Sequence, residues 1–168
     1  VTVTVKQVNG NLISVLGQVL KPGRYPLEMA NLRVSDVLAS AGGISGSGSD
    51  VLVLVGMRDG VAFRKEINVA GMFLDGKLEE DVWVRAGDVI YVHRAPMFYV
   101  YGQAQRPGSY RVEKNMTVMQ ALAQSGGPSM RGTERGLKIY RSDQEGKTEE
   151  IIPELTSLIR ADDVLYVR

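Results

Sequence analysis

Gly17-Gln18-Val19-Leu20-Lys21-Pro22-Gly23-Arg24-Tyr25 decides the fold, because nearly the same residues return as Gly102-Gln103-Ala104-Gln105-Arg106-Pro107-Gly108-Ser109-Tyr110. The offset between the two stretches is 102 − 17 = 85 residues. Each stretch places a Pro-Gly pair between two short apolar segments. That pattern predicts a strand, a tight type II turn in which glycine supplies the positive φ, and a second strand.

Two further blocks recur in the same order. One has apolar residues at the spacing i, i+3, i+4 and i+7, which predicts a short helix, and a glycine pair that would end it in a left-handed cap. The other predicts a polar turn followed by an apolar strand. The blocks are Val34 to Gly43 against Val118 to Gly127 at an offset of 84, and Val84 to Val92 against Ile159 to Val167 at an offset of 75. Three ordered blocks indicate an internal duplication.

Between helix and final strand, each copy contains a predicted β-hairpin. The strand pairs are 52–57 with 61–67, around Asp59-Gly60, and 137–141 with 148–152, around Gly146. Because the offset falls to 75 residues at the last block, the first copy contains extra residues before Val84. In this segment, Val69, Met72 and Phe73 predict a short additional helix ending at Gly76. Each copy is therefore predicted to be an α+β unit, one main helix packed on a small mixed sheet.

The repeat also predicts the domain boundaries. We expect one unit over residues 10–94 and a second over residues 95–168. Residues 1–9, which include Val-Thr-Val-Thr-Val, are interpreted as the end strand of a preceding domain that has been cut short. The junction His93-Arg94-Ala95-Pro96 is too short for free tumbling, so a fixed relative pose is expected.

Composition excludes several classes of function. The chain has 20 Lys and Arg against 19 Asp and Glu, and the two signs are balanced in both halves, which argues against nucleic acid binding. The absence of cysteine excludes disulfides, thiolate metal sites and cysteine nucleophiles, and a single histidine excludes a histidine cluster. No apolar run of about 18 residues is present that could span a membrane. We therefore expect no enzymatic activity, no catalytic residues, no cofactor and no bound metal.

Five residues near the Pro-Gly pairs are candidates for saccharide contact. Tyr25 and Tyr110 could stack on sugar rings, and Arg24, Arg106 and Arg111 could meet acidic sugars. The alternative is that the tyrosines are half-buried strand residues and that the arginines are only solvated.

Other conspicuous residues are expected to be structural or solvated. His93 lies in the junction, the acidic run Glu79-Glu80-Asp81 lacks the spaced oxygen ligands of a calcium loop, and Asp88 and Asp163 are expected to bond their own turns. The glycine-rich stretch from Gly42 to Gly48 follows a helix and lacks a Gly-Lys-Ser/Thr sequence, so it is a weak candidate for phosphate binding. Trp83 could be buried or lie at a contact between protomers.

The repeated blocks resemble the SLBB domain, a β-grasp-like module, and their tandem arrangement is similar to that of bacterial outer-membrane polysaccharide export proteins of the Wza type. The resemblance covers nearly the whole chain. The residues that carry it are Gly17-Gln18, Pro22-Gly23, Tyr25, Ala41-Gly42-Gly43 and Ala86 to Val92 in the first copy, and Tyr99 to Gln103, Pro107 to Tyr110, Ser125-Gly126-Gly127 and Asp162 to Val167 in the second.

The resemblance implies a non-enzymatic, periplasmic part of an outer-membrane protein that exports capsule or exopolysaccharide. It implies a ring-shaped homo-oligomer that encloses the conduit of the exported polysaccharide. It also implies contact with an inner-membrane polysaccharide co-polymerase, often a tyrosine autokinase. The other function that stays open is a soluble module that binds a saccharide or another small ligand.

Overall fold

A computed structural model of the protein describes residues 10–29 and 31–168. The chain divides into two compact units, Val1–Ala95 and Pro96–Arg168. The strand expected over residues 1–9 lies outside the described residues. Among the residues that the structure describes, no helix has the length and the apolar character needed to cross a membrane.

The first unit is a five-stranded mixed sheet with one main helix. Its elements are β1 (Leu12–Gly17), β2 (Gly23–Pro26), α1 (Val34–Ser40), β3 (Gly48–Arg58), β4 (Val61–Asn68), α2 (Val69–Leu74), a 3₁₀ turn (Leu78–Glu80) and β5 (Val89–Arg94). The strand order is β2-β1-β5-β3-β4. The β1–β5 pair is parallel, and the other pairs are antiparallel. The short helix α2 lies where the extra residues of the first copy predicted one.

The second unit repeats this architecture without the second helix. Its elements are β6 (Met97–Gly102), β7 (Gly108–Arg111), α3 (Val118–Gln124), β8 (Lys138–Ser142), β9 (Thr148–Ile151) and β10 (Val164–Val167). The order β7-β6-β10-β8-β9 matches that of the first sheet, and β6 and β10 again pair in parallel. The predicted α+β class, the repeat of the same architecture and both hairpins are confirmed.

Each unit has its own hydrophobic core between the main helix and one face of the sheet. Strand residues alternate between the two faces, so every second residue of the central strands points into the core. The buried side chains of the central strands include Ile13, Val15, Leu52, Leu54, Ile90 and Val92 in the first unit, and Phe98, Val100, Ile139, Leu165 and Val167 in the second. The remaining strand residues form an outer face on the side of each sheet away from this core.

The two main helices end as their sequences predict. Thr117 and Gln120 form a reciprocal capping box at the start of α3. The glycine pairs after α1 and α3 all have positive φ, between 79° and 86°. The amides of Gly43 and Gly127 then donate to the carbonyls of Leu38 and Leu122 at 2.9 and 2.8 Å, so each glycine pair closes its helix.

The prediction of a type II turn at the Pro-Gly pairs is wrong. Gly23 and Gly108 instead begin the extended strands β2 and β7. Gly23 has an extended φ of 157°, and the left-handed φ values in these stretches, 90° and 94°, occur at Gly17 and Gly102, where β1 and β6 end. A Cβ there would lie 2.1 Å from the carbonyl oxygen of Val92 or 2.2 Å from that of Val167. The first glycine of each repeat is therefore needed for close approach of the parallel strand.

Candidate functional site

The two predicted tyrosines are half-buried strand residues. Tyr25 packs against the first core, and the ring of Tyr110 stacks on Phe98 with centroids 5.6 Å apart. Each hydroxyl donates to the carbonyl of the residue four positions earlier, Lys21 or Arg106. Both rings therefore close the loop that precedes their strand. The predicted saccharide contact of these tyrosines stays a prediction.

The three predicted arginines have different surroundings. Arg24 is exposed and lies opposite Ser14 in the β1–β2 register. Arg106 is exposed, and its guanidinium donates to the carbonyl of Gln124 at 3.1 Å. Arg111 is half-buried and lies opposite Met97 in the β6–β7 register.

The outer face of the second sheet carries four tyrosines, which we call the tyrosine face. Tyr99 and Tyr101 on β6 are 44% and 49% exposed, and Tyr140 and Tyr166 are half-buried. Register places Val164 next to both Tyr99 and Tyr140, and Tyr101 next to Tyr166. The rings of Tyr101 and Tyr166 are 4.8 Å apart, tilted by 42°. Aromatic rings thus extend over three adjacent strands.

A polar network lies at one side of the tyrosine face. The Lys138 ammonium contacts the Glu150 carboxylate at 2.8 Å, and both side chains are partly exposed. This bond lowers the pKa of Glu150 below its usual range and raises the pKa of Lys138. Burial and a hydrogen bond to Glu150 raise the pKa of Tyr140, so its phenol stays protonated. The charges of the ion pair cancel, and the protonated phenol of Tyr140 lies beside it.

The corresponding face of the first unit is largely aliphatic. The sheet registers make Ser14 equivalent to Tyr99, Leu16 to Tyr101 and Val55 to Tyr140. Only the position of Tyr166 keeps its residue type, as Tyr91. The ring of Tyr91 lies over Gly17 and the ring of Tyr166 lies over Gly102, since a Cβ on either glycine would contact the ring. The shared tyrosine thus covers a glycine, whereas the three additional tyrosines serve no such purpose.

A buried ion pair stabilises each final turn. Asp88 and Asp163 are 1% and 0% exposed, and each accepts a backbone hydrogen bond from the residue three positions earlier at 2.8 Å. Each also receives a bidentate arginine, Arg58 or Arg141, at 2.7–2.8 Å. The predicted turn bonds are confirmed. The arginines were missed, because no sequence motif connects them to the distant aspartates.

The extra segment of the first unit exposes a cluster of large apolar side chains, which we call the α2 patch. Phe73, Leu74 and Leu78 are 64%, 84% and 61% exposed. Trp83 is 52% exposed, and the Arg33 guanidinium lies over its ring at 4.3 Å. The burial predicted as one alternative for Trp83 is therefore excluded. Met72 is 1% exposed and anchors α2 to the core, so the helix holds these neighbouring side chains in solvent.

The remaining predicted candidates have local structural partners. His93 Nδ1 lies 3.0 Å from the carbonyl oxygen of Arg94. Glu80 accepts a bond from the amide of Asn68, and Asp81 accepts bonds from the amide and the hydroxyl of Ser35. Within residues 10–29 and 31–168, no three His, Asp or Glu side chains come together as a candidate metal site.

Sequence reasoning did not single out the tyrosine face, although a signal was present. Tyr99 and Tyr101 alternate with Phe98 and Val100, and such alternation predicts one buried and one open face. The contributions of Tyr140 and Tyr166 depend on strand order and register, which a single sequence does not supply.

Comparison with known proteins agrees with the duplication. Two family models, both described as SLBB domain, match residues 11–92 and residues 97–152. The first match covers nearly all described elements of the first unit, and the second ends at the residue after β9. No curated protein matches the chain.

Proposed function

The chain belongs to the SLBB domain family, with one domain in each structural unit, and from this premise we propose that it is a structural part of a polysaccharide export protein. SLBB domains are binding or structural modules and occur in polysaccharide export proteins. We place the chain in the periplasmic part of an outer-membrane protein, where it contributes to the wall of the export conduit. The observation that carries the proposal is the tandem pair of SLBB domains.

A conduit requires protomers that close into a ring. Ring closure uses heterologous contacts, in which each protomer presents two different surfaces to its neighbours. The duplicated units are suited to this because their surfaces have diverged: only the first has the α2 patch, and only the second has the tyrosine face. Large neighbouring apolar side chains in solvent are typical of interaction sites. We therefore assign the α2 patch to contact between protomers of a homo-oligomer.

The proposal also includes partners on either side of the ring. The exported polysaccharide would pass through the conduit. An inner-membrane polysaccharide co-polymerase, often a tyrosine autokinase, would contact the ring on the side of the inner membrane. Catalysis has no place in this function, and we expect no nucleotide or glycan turnover, no cofactor and no nucleic acid binding. A soluble module that binds a saccharide is the second candidate, and the tyrosine face is the observation that favours it.

Deletion of the gene in its native host tests the proposal. We expect secreted polysaccharide to be lost and to return when the parent protein is supplied again. The double variant Phe73→Asp, Leu74→Asp should not restore secretion, and native electrophoresis of the detergent-extracted parent should show smaller assemblies. Val61→Asp is the matched control, because Val61 is 68% exposed and lies outside the α2 patch.

Unchanged secretion after deletion would refute the export function. Full assembly and secretion with the double variant would leave export in place but would remove the α2 patch from the ring contact.

A further inference from the structure

Most of the tyrosine face is not required by the fold. The first unit builds the same sheet, in the same strand order, with Ser14, Leu16 and Val55 at the positions of Tyr99, Tyr101 and Tyr140. Two of these tyrosines are close to half exposed, so core packing does not explain them. Three aromatic residues that share one open face, and that the first unit replaces with other residue types, indicate a surface for recognition.

The chemistry of the face is complementary to that of a sugar ring. A pyranose has an apolar face of C–H groups and an edge of hydroxyls, so it needs a flat aromatic surface with hydrogen-bonding groups close by. The tyrosine rings supply the flat surface, and their hydroxyls can both donate and accept. Lys138 and Glu150 add a donor and an acceptor beside Tyr140.

The charge and shape of the face restrict the ligand further. Lys138 and Glu150 cancel one another, so this ion pair adds no net charge beside Tyr140 that would attract an acidic polymer. Small molecules usually bind in concave pockets, whereas these rings lie on the open surface of a sheet. The rings extend over β6, β10 and β8, which suits several consecutive units of an extended chain.

We propose that the tyrosine face binds a segment of an uncharged polysaccharide, with sugar rings stacked on Tyr99, Tyr101 and Tyr140. This inference rests on the proposed function, since it locates the contact that the exported polymer makes with the protein. The Lys138–Glu150 pair bonds to sugar hydroxyls at the side of the stack. The first unit, whose equivalent face is aliphatic, makes no such contact.

The duplication supplies variants that are compatible with the sheet. The triple variant Tyr99→Ser, Tyr101→Leu, Tyr140→Val gives the second unit the residues that the first unit already carries at these positions. The reciprocal variant Ser14→Tyr, Leu16→Tyr, Val55→Tyr transfers the rings to the first unit. The matched control is Tyr91→Leu, which removes an exposed tyrosine from the first unit. Circular dichroism and thermal unfolding of each variant confirm that the fold is retained.

Native affinity electrophoresis of the 168-residue chain measures binding. The gels contain dextran, galactomannan, alginate or the polysaccharide purified from the culture of the native host. We expect at least one uncharged polymer to retard the chain, and the triple variant to lose that affinity at least tenfold. Tyr91→Leu should bind as the original chain does, and the reciprocal variant should bind more tightly.

Three outcomes would overturn the inference. The first is that the chain migrates unretarded in every gel. The second is that the folded triple variant is retarded as strongly as the original chain. The third is that no polymer binds and sedimentation velocity shows self-association that the triple variant abolishes, which would make the face a protein interface. Export in the native host is a separate readout. If deletion of the gene leaves secretion unchanged but the chain still binds a glucan through the tyrosine face, the proposed function fails and the inference about the face does not.

Discussion

Gly56 and Arg141 occupy equivalent positions in the two sheets, yet both sheets hold a bidentate arginine–aspartate pair. In the second unit Arg141 itself reaches Asp163. In the first unit the arginine lies two residues further along the strand, on the same face, and Arg58 reaches back to Asp88 over the space that Gly56 leaves open. One ion pair is thus preserved from two different strand positions.

Loss of the buried carboxylate should destabilise each unit. Asp163→Asn removes charge-assisted bonds to Arg141 and leaves its guanidinium poorly paired, so we expect a loss of about 2 kcal/mol of unfolding free energy. The loss is smaller than that for a fully buried pair because Arg141 is partly exposed. Urea denaturation measures it. Glu66→Gln breaks the exposed pair with Arg64 and should cost less than about 0.5 kcal/mol; equal losses would contradict the structural role of Asp163.

Gly56 should not tolerate alanine. A Cβ there would lie 1.9 Å from the Asp88 Oδ1 atom, so the carboxylate and Arg58 would both have to shift. We expect Gly56→Ala to lower the unfolding free energy by about 1–3 kcal/mol. For Gly46→Ala a Cβ would meet no described atom within 4 Å, so the change should stay within about 0.5 kcal/mol. Thermal unfolding of the two variants compares them, and similar midpoints would disprove the proposed crowding.

The arrangement of the second unit should be transferable to the first. Gly56→Arg alone introduces a second guanidinium beside Asp88 and is expected to destabilise the unit. Adding Arg58→Ala removes the competing side chain and lets the new arginine take the role that Arg141 has in the second unit. The double variant should therefore unfold at higher urea concentration than Gly56→Arg alone. Additive losses in a double-mutant cycle would refute the equivalence.

The ion pair beside the tyrosine face should be visible in titration. Glu150 should titrate below the usual pKa of a glutamate in carboxyl-detected NMR, and Lys138→Ala should raise its pKa toward that value. Because the folded-state pKa is lowered, the stabilisation by this pair is present above the unfolded-state pKa and is lost as the pH falls through the folded-state pKa. An unchanged pKa of Glu150 in the Lys138→Ala variant would contradict this ion pair.

The sequence predicted the architecture well because the duplication repeats each local signal. Glycine pairs and hairpin turns depend on neighbours in the chain, and they were found in both copies. The prediction of a Pro-Gly turn was wrong because Gly23 and Gly108 begin strands. The glycines that a close approach requires are Gly17 and Gly102, and their partners Val92 and Val167 are distant in the sequence; Gly102 and Val167 are 65 residues apart.

The candidate site was harder to predict because it depends on sheet register. Tyr25 and Tyr110 stood out through their motif, yet both rings also close loops. The tyrosine face combines residues from β6, β8 and β10, and only the pairing of these strands brings Tyr99 and Tyr140 to the same face. Local patterns reveal which residues are exposed on one strand but not which strands become neighbours.

The parallel pairing of first and last strands has a consequence for biosynthesis. In each unit the final strand lies between two strands that are synthesised before it: β5 lies between β1 and β3, and β10 lies between β6 and β8. The sheet therefore stays in two parts until the final strand leaves the ribosome. Such non-local closure favours slow, all-or-none folding. The first unit can complete its sheet while the second is still being translated, so the two similar sequences can fold one after the other.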